Sequence, residues 1–433
     1  MADETSEFEV PSQVGPGFTL ELTEEQKSLV GRAHGFAAEV IRPVAAEYDR
    51  RQEFPWPVVE EAARRGFYDY ELYAGLIGDP TGLSLALLME ELFWGCAGIG
   101  LSIVMPALAL SAIAQSATSE QLVRWAPECF GKPGDLKCAA LAVTEPAGGS
   151  DVGALATRAR RDGSDWVIDG HKIFIGNGGI ADVHVVVATV DPEAEHRGQA
   201  LFIVPKDTKG LVLVRKLDKL GCRASHTAEL KFESCRIPGD HLLGGDEKLE
   251  ARIAKGKSEA KGGGGRKSKA LGTFEQTRPM VAAQAIGIAR AAFEFARDYA
   301  IEREAFGQPI IDFQGVSFPL AQLATEIDAA RLLTWRAAWM AARRIPFAQA
   351  EGSMSKLKAS EVAVRATEQA IQVLGGWGYI TDHPVEKWYR DAKLYTIFEG
   401  TSEIQRLVIG RAIEDSAGEL PLHHRLTTEQ QQG

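Results

Sequence analysis

The spacing of apolar residues changes period twice along this chain, and that limits the available folds more than any single motif. Over residues 20–136 the spacing is helical. Thr23-Glu24-Glu25-Gln26 has the form of a capping box with Thr23 as N-cap, and another helix is predicted to follow Pro57. Over residues 138–243 the period shortens to that of strands. Residues 165–175 read as two strands around an Asp169-Gly170 turn, and 183–190, 201–204, 211–214 and 228–232 as further strands of an antiparallel barrel or sandwich. Over residues 271–419 the helical period returns, rich in Ala, Leu, Glu and Arg, as in a bundle. The predicted class is α+β. The predicted segments are an all-α domain (18–137), a β domain (138–245), a basic insertion (246–270), a helical bundle (271–415) and a polar tail (416–433).

The chain has 433 residues, more than one core of about 250–300 residues usually serves, so several packed units are expected. With 48 basic against 59 acidic residues the net charge is −11, which argues against a nucleic-acid partner. The five cysteines, Cys96, Cys129, Cys138, Cys222 and Cys235, are widely spaced and form no C-x-x-C. Neither a disulfide framework nor a metal site is expected, and a reducing, cytoplasmic setting fits. The N-terminal MADETSEFEV has no apolar core of a signal peptide. The apolar run 101–114 is short for a bilayer, holds Pro106 and reads as a buried helix; no membrane association is expected. Residues 252–270 carry seven basic residues, one acid and four consecutive glycines. They are predicted to be a flexible loop.

Five motifs carry chemistry. Val143-Thr144-Glu145-Pro146-Ala147-Gly148-Gly149-Ser150-Asp151 is a glycine-bearing turn whose N–H groups can approach a phosphate or cofactor, or simply a turn at a domain junction. In Lys172-Ile173-Phe174-Ile175-Gly176-Asn177, a strand with an aromatic residue ends in a glycine turn. An aromatic there can cover a flat heterocycle, though most strand aromatics are core. Arg303-Glu304-Ala305-Phe306-Gly307-Gln308, followed by Phe313-Gln314, sets an arginine at a helix end, where it can hold a phosphate or form an ordinary ion pair. Gln372-Val373-Leu374-Gly375-Gly376-Trp377-Gly378 has three glycines in four positions, which suit a tight turn and not a helix interior. Phe398-Glu399-Gly400-Thr401-Ser402-Glu403 puts a carboxylate after an apolar run. That setting raises its pKa toward proton transfer; the bland alternative is a helix start capped by Thr401 or Ser402.

In identity, order and spacing these motifs resemble the acyl-CoA dehydrogenase family, its medium- and short-chain members in particular, over residues 18–413. The resemblance implies an N-terminal helical domain, a middle β domain and a C-terminal four-helix bundle, with FAD between the last two. It implies that Leu141, Val143 and Thr144 contact the flavin, that Gly149 and Ser150 hold the pyrophosphate near the CoA chain, and that Phe174 and Gly176 meet the ring. Arg303, Ala305, Phe306, Phe313 and Gln314 match a segment reaching the cofactor of a neighbouring subunit. Gln372, Gly375 and Gly376 match its companion turn, and Thr401 and Glu403 complete the site. A shared site implies a homo-oligomer, in this family usually a tetramer. Glu275, Thr277, Arg278 and Gly400 match residues beside the substrate, and Arg411 a basic residue near the CoA nucleotide.

The implied reaction is α,β-dehydrogenation of a straight-chain, short or medium acyl-CoA to the trans-2-enoyl-CoA. Glu399 would be the base, flavin N5 the hydride acceptor and an electron-transfer flavoprotein the next carrier. Two departures stand out: Gly176 replaces the usual threonine or serine, and 73–80 lacks the usual Pro- and Gly-rich loop. An acyl-CoA oxidase, or a silent acyl-CoA-binding partner subunit, is the alternative.

Overall fold

A computed structural model of the chain describes residues 20–415 apart from Val152, Ala154 and 262–276. Seven α-helices come first: α1 (Glu24–Phe36), α2 (Ala45–Arg51), α3 (Trp56–Arg64), α4 (Tyr70–Ile77), α5 (Ser84–Gly95), α6 (Ala97–Ser116) and α7 (Ser119–Trp125). The capping box forms as read: Gln26 N–H donates to Thr23 Oγ1 (3.2 Å) and Thr23 N–H to Gln26 Oε1 (3.0 Å). Pro57 lies in the first turn of α3, where its missing N–H costs nothing. The apolar run at 101–114 lies inside the longer α6. That helix is long and apolar enough to cross a membrane, and its most apolar window is 67% buried within the fold. Residues 73–77 are helical, belonging to α4, which Asp69 caps.

The middle sheet comprises β3 (Ala139–Ala142), β4 (Arg158–Asp162), β5 (Asp165–Gly176), β6 (Val183–Thr189), β7 (Gln199–Pro205), β8 (Leu211–Lys216) and β9 (Thr227–Ile237), after a small β1–β2 hairpin (Gly131–Lys132, Asp135–Leu136). The order is β3-β6-β4-β5-β9-β8, with β7 on β6. Pairing is mostly antiparallel, but β3 and β4 meet β6 in parallel.

The expected turn at Asp169-Gly170 is corrected: β5 runs through it as one strand, with a register shift against β9 between Ile168 and Gly170. Gly170 is there for close approach, since a Cβ would lie 2.3 Å from Thr157 Oγ1. The hairpin is at Gly163-Ser164, where Gly163 takes φ +64 and Asp162 pairs with Asp165.

The basic insertion needs a second correction. Residues 245–261 form a helix, α8 (Gly245–Lys261). It is fixed to the β domain, with Arg252 donating to the carbonyls of Arg197 and Gln199, and Lys257 pairing with Asp191 (2.6 Å). Alternating charge among good helix formers outweighs the disorder expected from composition alone. The glycine run 262–265 and residues up to 270 lie outside the described residues, as does the 416–433 tail.

The last region holds α9 (Arg278–Glu302), a short β10–β11 hairpin (Glu304–Ala305, Gln308–Pro309), α10 (Gln314–Ala342), α11 (Glu351–Leu374), the single-turn α12 (Gly376–Tyr379), α13 (Val385–Lys393) and α14 (Ser402–Asp415). The glycine motif is thus part turn and part helix. Gly375 ends α11 at φ +61, while Gly376 and Gly378 lie in α12, where a Cβ on Gly378 would approach Ile371 O to 2.5 Å.

One apolar core joins the N-terminal helices, the nearer strands and the C-terminal helices, and a second fills the β domain. Between α5 and the bundle, Arg290 binds Glu90 (2.8 Å) and Glu91 (2.5 Å), and Arg331 binds Glu90 (2.9 Å). All five cysteines are buried and unbonded, and no metal-binding cluster occurs among the described residues.

Candidate active site

The Glu399 turn is built by two helices that cannot run into each other. After α13 and a 3-10 turn at Leu394–Thr396, the chain takes φ +53 at Glu399 and +89 at Gly400. A left-handed conformation is uncommon outside glycine and calls for support. Thr401 then caps α14, its Oγ1 accepting the Ile404 N–H at 3.3 Å, as one sequence reading held. Tyr395, fully buried, stacks edge-on against Phe398 at 5.0 Å and donates to Gln284 Oε1.

The turn rests on a buried polar floor. Lys356 of α11, with no exposed surface, donates from Nζ to Gly400 O at 2.7 Å. Gln405 of α14 donates from Nε2 to the same oxygen at 2.8 Å and to Glu399 O at 3.3 Å. Arg278, buried at the start of α9, donates to Ser353 Oγ. Burial pushes the Glu399 carboxyl above its ordinary value, opposed by the charges of Lys356 and Arg278. Burial also pulls the Lys356 ammonium down to about 8, against the pull of Glu399 and Glu403. A carboxylate poised this way suits proton abstraction.

A second constellation sits at the end of β5. Lys172, also fully buried, donates to Glu145 Oε1 (2.8 Å) and Val143 O (2.7 Å). Glu145 in turn accepts the N–H groups of Ala156 (2.6 Å) and Thr157 (2.9 Å). Burial would raise the Glu145 carboxyl, but these donors hold it below its usual range. With Ile173 N–H donating to Thr144 O (3.0 Å), the 143–145 segment is fixed beside β5. Glu145 and Gly148 close the tight turn, leaving Gly149 and Ser150 exposed. Phe174 stands at φ +61 with 66% of its surface exposed. Gly176 faces Met105 of α6: an ideal Cβ would lie 2.9 Å from Met105 Sδ.

Residues 23–133, 140–235 and 267–414 match the N-terminal, middle and C-terminal domains of acyl-CoA dehydrogenases, in that order. The chain belongs to the acyl-CoA dehydrogenase family. The short-chain specific acyl-CoA dehydrogenase, mitochondrial, of Rattus norvegicus is 40% identical over 393 residues, 90% of each chain. The butyryl-CoA dehydrogenase of Megasphaera elsdenii superposes with a TM-score of 0.80 at 33% identity, over 92% of this chain and 100% of that one. A chain from a structure of the electron transferring flavoprotein of Acidaminococcus fermentans gives 0.79 at 34% identity, over 91% and 99%.

An acyl-CoA dehydrogenase uses FAD, and the residues present fit it. An aromatic ring at a strand end, in a strained conformation and two-thirds exposed, offers a flat apolar face for a heterocycle to cover.

Not all expected cofactor residues come together in one chain. Leu141, Val143, Thr144, Phe174 and Gly176 gather at the β3 and β5 ends. Arg303, Gly375 and Gly376 instead line a separate cavity of about 490 Å³ with Trp377. Phe306, 96% exposed, meets Phe313 edge-on at 6.0 Å, and Gln314 opens α10 nearby. Ala305 lies in the hairpin between them, and Gln372 is exposed on the last turn of α11. Among the described residues no hydrogen bond, ion pair or ring contact joins this set to the first.

Glu403 is exposed at the head of α14 and Arg411 exposed further along it; Thr277 precedes α9, and Glu275 lies outside the described residues. Sequence reading did not single out Lys172, Lys356 or Gln405. The available signal was a lysine inside an otherwise apolar strand face or small-residue helix face, which needs a carboxylate or carbonyl partner.

Proposed function

We propose that this acyl-CoA dehydrogenase acts on a short straight-chain acyl-CoA, with Glu399 as base. The observation that carries the reading is the Glu399 turn: a carboxyl raised by burial, on a backbone whose N–H has no acceptor among the described residues. The α-proton of a thioester is weakly acidic. Its removal needs a base in reach and a donor for the developing enolate oxygen. Glu399 supplies the first with its carboxylate and the second with its own N–H. FAD, when bound, supplies the two-electron acceptor for the hydrogen leaving the β-carbon. The Phe174 set holds the ring, and the Arg303 set serves the cofactor of a neighbouring copy, which makes the enzyme a homo-oligomer, a tetramer as is usual in this family. The exposed Phe306 and the split between the two sets support this.

The short-chain reading rests on the relatives named above. An electron-transfer flavoprotein as acceptor, and a reducing cytoplasmic setting for five free thiols, belong to the same proposal.

The test is anaerobic bleaching of the bound flavin by a series of saturated acyl-CoAs. Butyryl-CoA is expected to bleach fastest; a maximum at eight carbons or more would overturn the short-chain reading. Reoxidation faster by oxygen than by electron-transfer flavoprotein would favour an oxidase. Glu399→Gln should keep FAD and lose about 10²–10⁴ in turnover, and near-normal turnover would remove Glu399 as base.

A further inference from the structure

The floor beneath Glu399 has a feature the reaction outlined above does not use. Gly400 O accepts two hydrogen bonds, one from Lys356 Nζ and one from Gln405 Nε2, so both of its lone pairs are engaged by side chains from different helices. Gly400 O belongs to the Gly400–Thr401 peptide, directly after two successive residues of positive φ, Glu399 and Gly400, and Gln405 Nε2 also reaches the carbonyl of the peptide before it, Glu399 O, at 3.3 Å. Fixing these two carbonyls fixes the backbone that carries the base. We propose that Lys356 is a positioning residue for the reaction: with Gln405 it clamps the Gly400 carbonyl, in the turn that carries Glu399, and it sets a positive charge near the base. The inference rests on the reading of Glu399 as base.

A buried ammonium is costly, and a neutral side chain could satisfy one carbonyl. Retaining lysine there makes sense if its charge is used. The charged groups acting on Glu399 are Lys356 from α11 and Arg278 from α9, while Glu403 from α14 acts on Lys356. Both cations lower the carboxyl that burial raises. Without Lys356, Arg278 remains alone against burial.

The test uses the FAD-loaded enzyme. Lys356→Met should move the acid limb of kcat/KM up by about one pH unit, lower kcat at neutral pH about tenfold or more, and leave KM within about twofold. Amide exchange over 397–401 should quicken, because the turn has lost a strut. Lys356→Gln, which keeps a donor and drops the charge, should show the shifted limb with a smaller loss of kcat. Lys356→Arg should restore the limb. If Lys356→Met loses FAD, the limb is read in Lys356→Gln. An unmoved acid limb in the variant that holds FAD overturns the proposal, even with a lowered melting temperature. Turnover retained by Glu399→Gln would remove base and clamp together. An inactive Glu399→Gln beside an unmoved limb removes the clamp alone.

Discussion

Gly176 stands where the family resemblance implies a threonine or serine, and its neighbour would have to shift to admit one. A side chain there would run into the Met105 thioether, 2.9 Å from an ideal Cβ. The Met105 side chain is flexible and only half-buried, so Gly176→Thr should cost about 1 kcal/mol, the low end of overpacking. Met105→Ala alone should also destabilise, but the double variant should recover part of the loss. A double-mutant cycle on thermal midpoints would show the coupling; additive effects would mean the two residues are independent. The pH dependence of catalysis is set at the same scale. As the proposed base, Glu399 must be ionised to accept a proton, and burial holds its carboxyl above the ordinary glutamate value. The acid limb of kcat/KM should thus lie above the ordinary glutamate range, with activity lost as pH falls through it; a limb at or below 4.5 would contradict the burial argument. The proposal of Glu399 as base was suggested by its apolar flank and the glycine after it. The buried Lys356 was not, because its partner is a backbone carbonyl 44 positions away, and no spacing rule encodes such a contact.

Elements were legible where one period ran long. The capping box of α1, the buried α6 and most strands follow from local pattern. The errors fell where a glycine serves close packing. Asp169-Gly170 has the composition of a turn, yet Thr157 presses on Gly170 and the strand continues. Gly287 carries the same lesson within a helix: a Cβ there would lie 2.3 Å from Glu90 O, at the crossing of α5 and α9. Because the obstacle is backbone, Gly287→Ala cannot be absorbed by a rotamer change and should cost about 2–4 kcal/mol, beyond the usual overpacking range of flexible neighbours. A thermal midpoint within a degree of wild type would refute the tight crossing. α8 fails the composition rule from the other side. Two of its basic residues, Arg252 and Lys257, are engaged by the β domain, which holds the helix in place.

Across the molecule, buried charge ties the three regions together. Arg290 meets Glu90 and Glu91, and Arg390 joins Asp49 (2.7 Å) of α2, Glu386 (2.8 Å) of its own helix and the Leu220 carbonyl (3.1 Å) of the loop after β8. Removing Arg290 takes one partner from each carboxylate while Arg331 still holds Glu90 (2.9 Å) and His34 still reaches Glu91 (2.8 Å), so Arg290→Ala should cost about 1–3 kcal/mol. Calorimetry should show that loss as a lower midpoint in one shared transition; an unchanged midpoint would show the network to be neutral. The broad architecture was legible because two changes of period divide the chain into three, but these ties were not, since each links residues far apart in sequence. Phe174 and Phe306 stand largely bare on the single chain, and in the proposed assembly cofactor and neighbouring copies cover them. Until then both rings face water. In a production host, soluble yield should therefore rise with riboflavin supply, and an equal soluble yield from a vitamin-starved culture would show that the bare rings carry no penalty.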